Sequence, residues 1–186
     1  MRVAVAKYPI QAPASFEVFA ERLQRLLEEA AALGARIAVL PEYLSLELAA
    51  TFEPDVQGDL LASLAAIQRY RDPWRALFSG LARATGLHVV AGSFLLAMDD
   101  GRYRNRADLF SPSGGHAWQD KLQLTGFEKG TGVIVPGDTL KVFDIDGVRV
   151  GLAVCYDGEL PLPVRGQREA GARLLLVPSC TGTAAG

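Results

Sequence analysis

The sequence predicts a mixed α/β fold, on three observations. The chain opens as strand, helix, strand; its middle breaks into short strand-like runs separated by hairpin turns; and three runs end on an ionisable residue at a turn. Val3 to Tyr8 reads as the first strand, closed by Pro9. Phe16 to Leu33 then repeats apolar residues at helical spacing, with Ser15 placed to cap the helix and Gly34 to end it. Arg36 to Leu40 makes a second strand, so the opening is a βαβ unit whose strands run parallel through a right-handed crossover.

Leu60, Leu61, Leu64 and Ile67 mark another helical stretch. Asp72-Pro73 reads as the cap and first-turn proline of a helix that runs to Gly86, and a strand follows from Leu87. Asp99-Asp100-Gly101, Ser111-Pro112-Ser113-Gly114-Gly115 and Asp146-Gly147 are turn signals between short strands, which makes the middle locally antiparallel. Val148 to Val154 alternates as a strand does, and Pro161 can open the helix that follows. Val164 to Ala170 is helical and ended by Gly171; Arg173 to Val177 is an apolar strand stopped by Pro178, and residues 179–186 read as loop. The stretch from Glu47 to Gly58 has no period that places it. With no repeat, low-complexity segment or linker, residues 1–186 are read as one domain.

Composition narrows the function classes. Apolar residues are 49% and charged residues 22% of the chain, ordinary for a globular protein. Nineteen Lys and Arg against 21 Asp and Glu leave a formal charge of −2 and no basic stripe, so nucleic acid is not an expected partner. Cys155 and Cys180 cannot staple a chain this size and match no metal-ligand spacing with His88 and His116, so no metal is expected and a reducing cytoplasm is the expected location. Met1 to Lys7 lacks the apolar core of a signal peptide, and no apolar run is long enough to span a bilayer, so no membrane association is expected. A nucleotide-binding α/β domain is the rival class, but no G-x-G-x-x-G follows the first strand and no G-x-x-x-x-G-K-[ST] occurs.

The chemistry lies at three strand ends: Leu40-Pro41-Glu42, Gln119-Asp120-Lys121 and Ala153-Val154-Cys155. In an open α/β sheet such ends converge, because ligands bind there. Cys155 taken alone is as well read as a buried structural cysteine, and Glu42 and Lys121 alone as solvated charges; their value lies in the set. A strand, a sharp polar turn and a helix are the geometry that exposes a nucleophile. Cys180 also follows a strand but brings no charged partner. His88 and His116 are read as packed or exposed, Asp157 and Glu159 as groups that bond turn amides or an arginine such as Arg165, and Asn105 and Arg106 as strand surface.

Leu40-Pro41-Glu42, then Asp120-Lys121-Leu122 with Phe127-Glu128, then Cys155-Tyr156-Asp157 with Glu159-Leu160-Pro161, in that order, resemble the nitrilase or carbon-nitrogen hydrolase superfamily over nearly the whole chain. The resemblance implies an αββα sandwich of two mixed sheets with outer helices. It implies hydrolysis of a small amide, in preference to a nitrile, through a cysteine thioester, with no cofactor. Cys155 is then the nucleophile, Glu42 the base and Lys121 the cation; Lys121 and the backbone N–H of Tyr156 face the oxyanion. Glu128 matches a supporting second glutamate, although Thr125 to Gly130 reads as a flexible loop. The resemblance also implies a homodimer. Members continue well past the strand at Arg173 to Val177, so the chain is expected to lack the C-terminal part of the family fold. The alternative is a catalytically incomplete scaffold that binds partners through uncovered edges.

Overall fold

The structure is a computed structural model that describes residues 1–180. In chain order its elements are β1 (Val3–Val5), α1 (Phe16–Ala32), β2 (Ile37–Val39), α2 (Pro54–Gln57), α3 (Leu60–Ile67), α4 (Arg71–Thr85), β3 (His88–Val90), β4 (Phe94–Ala97), β5 (Tyr103–Phe110), β6 (His116–Asp120), α5 (Gly126–Thr131), β7 (Val142–Ile145), β8 (Val148–Leu152), α6 (Pro161–Glu169) and β9 (Leu174–Leu176). Short 3-10 helices cover Leu44–Thr51, Gln68–Tyr70 and Cys155–Glu159.

Two mixed sheets form. In the first, β1, β2 and β3 are parallel neighbours, and β5 runs antiparallel to β3, β4 and β6. Because Arg106 pairs with both Phe94 and Asp120, while Leu109 pairs with both Val90 and Ala117, β3 and β4 share one edge of β5 and β6 takes the other. The second sheet runs β7-β8-β9, with β7 antiparallel and β9 parallel to β8. Its hairpin turns at Asp146 and Gly147, with φ of 51° and 77°, as a two-residue primed turn requires.

The alternation of strand side chains divides the interior. Ala38, Leu40, Val89 and Phe110 face α1 and α4, where Phe19, Leu23, Leu27, Trp74 and Phe78 are buried. Ile37, Val39, Val90, Ala107 and Leu109 face the second sheet and pack on Ile145, Val150, Leu152 and Leu176. The outer face of the second sheet is covered by α6, whose Gln167 donates to the Leu152 carbonyl at 2.8 Å. The layers are therefore helix, sheet, sheet, helix, as expected. No helix of the described residues is long and apolar enough to cross a membrane.

Local boundaries follow the sequence with some corrections. Ser15 caps α1 by accepting from the Val18 N–H, and Gly34 leaves it at φ 74°. The first strand ends at Val5 rather than Tyr8, and α4 begins at Arg71, so Asp72 and Pro73 lie inside its first turn and Asp72 is not its cap. The chain enters α4 straight from the 3-10 helix at Gln68–Tyr70, which leaves no extended residue for a cap to occupy. Glu47 to Gly58 holds the end of one 3-10 helix and then α2.

A buried carboxylate pins α4 to the sheet. Asp108 on β5 accepts two bonds from Arg71, at 2.5 and 2.9 Å, and lies 2.9 Å from His116 Nε2. Burial pushes its carboxyl up, but Arg71 and His116 outweigh that and hold it below the ordinary range. A carboxyl depressed in the folded state adds stability above its unfolded pKa, and that stability is lost as pH falls through the depressed value. Arg71→Met strands this charge, so urea denaturation at pH 7 is expected to show a loss of about 3–5 kcal/mol. The difference from wild type is expected to shrink as the solution is acidified.

Candidate active site

Each of the three strand ends delivers one side chain, and local constraints aim it. After β2, Leu40 N–H still bonds the Val90 carbonyl at 3.0 Å, so the chain reaches Pro41 and Glu42 in register with β3. Gly92 makes room: at φ 67° it lies so close to the Pro41 carbonyl oxygen that a Cβ would sit 2.1 Å from it. Tyr43 then takes a left-handed φ of 60°, its N–H held by Ser93 Oγ at 2.8 Å. Lys121 leaves β6 with its N–H on the Asn105 carbonyl at 2.9 Å. Cys155 leaves the β8 segment at φ 47°, its N–H on the Pro178 carbonyl at 2.9 Å. A left-handed cysteine between a strand and a tight helical turn is the sharp corner that presents a nucleophile.

The side chains meet around a buried ammonium. Lys121, 1% exposed, places Nζ 2.8 Å from Glu42 Oε1 and 2.8 Å from Glu128 Oε2. Asn105 Nδ2 lies between the same two carboxylates, donating to Glu42 Oε1 at 2.9 Å and Glu128 Oε1 at 3.0 Å. The Tyr43 ring stands 5.9 Å from Nζ, and its phenol feels the Glu42 and Glu128 charges. Burial, with the nearby Glu42 charge, pushes that phenol far up, so it stays a donor.

The two glutamates are driven apart. Burial raises both, but Glu128 also accepts from Lys121, Asn105, the Thr125 N–H at 2.9 Å and Thr125 Oγ1 at 3.0 Å, and so is held below the ordinary range. Glu42 has fewer donors, and burial leaves it raised despite Lys121. Glu128 is thus a fixed anion and Glu42 the carboxylate able to take a proton. Burial works against the Lys121 ammonium, yet Glu42 and Glu128 outweigh it and raise its pKa. The Cys155 thiol is half-buried, and Glu42, the Cys180 amide and Lys121 all act on its ionisation. Burial and then the Glu42 charge push the thiol up, so one proton serves sulfur and carboxylate together.

Asp157 ties the lysine loop to the cysteine turn. Its carboxylate accepts from Leu122 N–H at 3.1 Å, Gln123 N–H at 2.7 Å and Val154 N–H at 3.2 Å. This is the amide-bonding expected of it; Arg165 pairs instead with Glu169 at 2.8 Å. Tyr156 follows Cys155 inside the 3-10 turn, among the first residues, whose N–H groups helical geometry leaves without an internal acceptor.

Glu42, Lys121, Glu128 and Cys155 come together, and two expectations are corrected. Thr125 to Gly130 is not a flexible loop: it enters α5, where Thr125 and Glu128 form a reciprocal capping box. Asn105 does not serve the strand surface; it is buried and bonded to both glutamates. The period-two alternation could have placed it, since Asn105 is in phase with the buried Ala107 and Leu109. Tyr43 was also missed, and a tyrosine next to Glu42 carries no pattern that would have found it. Arg106 pairs with Asp120 at 2.6 Å. His116 bonds Asp108, and His88 lies 3.5 Å from Asp146.

Comparison with known proteins agrees with this geometry. The family model described as carbon-nitrogen hydrolase matches residues 2–185. The chain is 30% identical over 181 residues to the probable hydrolase YhcX of Bacillus subtilis, covering 97% of this chain and 34% of that protein. It is 26% identical over 167 residues to the omega-amidase NIT2 of Mus musculus, covering 82% of this chain and 54% of that protein. The chain therefore spans about a third to a half of these relatives. A solved structure of the NitN amidase from Nesterenkonia sp. AN1 superposes with a TM-score of 0.74 at 25% identity, over 99% of this chain and 68% of that one. A mutant structure of that amidase is described as carrying the product of Michael addition of acrylamide at its active site cysteine. The carbon-nitrogen hydrolase of Helicobacter pylori G27 shares the fold with a TM-score of 0.79 at 22% identity, over 98% of this chain and 61% of that one.

The coupling of thiol and carboxylate has a measurable sign. Because the Glu42 charge raises the Cys155 thiol, Glu42→Gln is expected to lower the pH at which thiolate absorbance at about 240 nm develops. A Cys180→Ser background isolates the signal. An unchanged or higher midpoint would mean that the two groups do not share a field.

Proposed function

Given that the chain belongs to the carbon-nitrogen hydrolase family, we propose that it hydrolyses a small amide through a thioester on Cys155, with Glu42 as proton carrier and Lys121 as the cation. The observation that supports this reading most is the division of the carboxylates around Lys121: one saturated and held as an anion, the other raised and next to the thiol. Amide is chosen over nitrile because relatives of the chain are named amidases.

As the sulfur attacks the carbonyl carbon, its proton passes to Glu42, and the C=O electrons move onto oxygen. The oxyanion meets the Lys121 ammonium and the Tyr156 N–H, donors fixed in place before the charge develops. Collapse breaks the C–N bond, and Glu42 returns the proton to the leaving nitrogen, releasing ammonia or an amine. Water then enters, gives a proton to Glu42 and attacks the thioester. Expulsion of the sulfur yields the acid, and the proton on Glu42 restores the thiol. Glu128 stays ionised throughout and keeps Lys121 charged and aimed.

The test is ammonia release from a panel of short aliphatic amides and the matching nitriles. Wild type is expected to turn over amides, and Cys155→Ala to lose at least about 10⁴-fold in kcat/KM. Rapid quenching is expected to trap an acyl group on the Cys155 peptide. Retained turnover in Cys155→Ala, faster turnover of nitriles than of amides, or no turnover across the panel would each overturn the reading.

A further inference from the structure

We infer that Asn105 is a positioning residue of this site, which decides which oxygen of Glu42 carries the proton. The inference rests on the hydrolase reading above and adds a residue to it. A carboxylate oxygen offers about two lone-pair directions. On Glu42 Oε1 both are taken, by Lys121 Nζ at 2.8 Å and Asn105 Nδ2 at 2.9 Å. A proton arriving from the thiol therefore has one seat, Oε2.

The second N–H of the same amide donates to Glu128 Oε1 at 3.0 Å. One neutral group thus fills the gap between two carboxylates, which Lys121 bridges with charge. The amide orientation follows from the network: with Oδ1 turned inward, acceptor would face acceptor on both sides. Asn105 Oδ1 accepts no bond from the described residues although the side chain is only 1% exposed. A buried asparagine kept for packing or for sheet structure would satisfy its carbonyl as well. Here both donors of the side chain are directed to the two carboxylates.

Removing Asn105 frees a lone pair on Oε1 and takes one donor from each glutamate. The proton then has two seats on Glu42 rather than one, and the carboxylate is less favoured as an anion. In Asn105→Ala the acid limb of the kcat/KM profile is expected to move up by roughly one pH unit. Amide kcat is expected to fall about 10²-fold while KM changes less than about threefold. The acid limb of iodoacetamide alkylation, read at the Cys155 peptide, is expected to move the same way. That readout needs no amide turnover, so it tests Asn105 even if the chain proves not to hydrolyse amides. An acid limb in its wild-type position would overturn the inference, whether or not stability had fallen. Should Asn105→Ala fail to fold, wild-type protein with ¹⁵N-labelled asparagine decides. Both Asn105 side-chain protons are expected to be protected from exchange and to shift across the acid limb; resonances that ignore that titration would overturn the assignment.

Discussion

A lysine ammonium buried between two carboxylates is the constraint on which this molecule turns. The Lys121 head group is withdrawn from bulk solvent and held by both at 2.8 Å. Withdrawing such a charge from water costs several kcal/mol, offset only when its partners are close and their remaining lone pairs are satisfied. The partners come from distant parts of the chain, Glu42 beyond β2 and Glu128 within α5. Their meeting demands that β2 and β6 end at the same depth, so the fold cannot shift there without exposing or orphaning a charge.

The same arrangement sorts the protons. Lys121 and Glu128 cancel, and what remains is one carboxylate, one thiol and one proton between them. Neither acid would hold this balance in water, where a glutamate ionises well below a cysteine. Burial raises the carboxyl, and burial with the Glu42 charge raises the thiol, although the Cys180 amide and the ammonium work against that rise. On the reading proposed above, Cys155 need not be ionised at rest, because Glu42 can take its proton.

Much of this was legible in the chain, and the failures share a cause. The βαβ opening, the hairpins and the three strand ends are local signals, set by turn chemistry and side-chain period, and they appear where Gly34, Gly101 and Gly147 put them. Glu42, Lys121 and Cys155 could be read because strand ends advertise themselves. Asn105 lies mid-strand between Arg104 and Arg106, and its neighbours made it look solvated. Its phase with Ala107 and Leu109, two and four residues on, was the signal that outweighs those neighbours. Thr125 to Gly130 misled because its glycines suggested mobility, although Thr125-x-x-Glu128 is itself the mark of a capped helix start.

That helix start has a further meaning. The carboxylate that closes the first turn of α5 through Thr125 is also the one that holds the Lys121 ammonium. Backbone order and charge balance therefore run through a single functional group, and neither can be altered separately. A change at Thr125 would disturb the start of α5 and the electrical balance around Lys121 together.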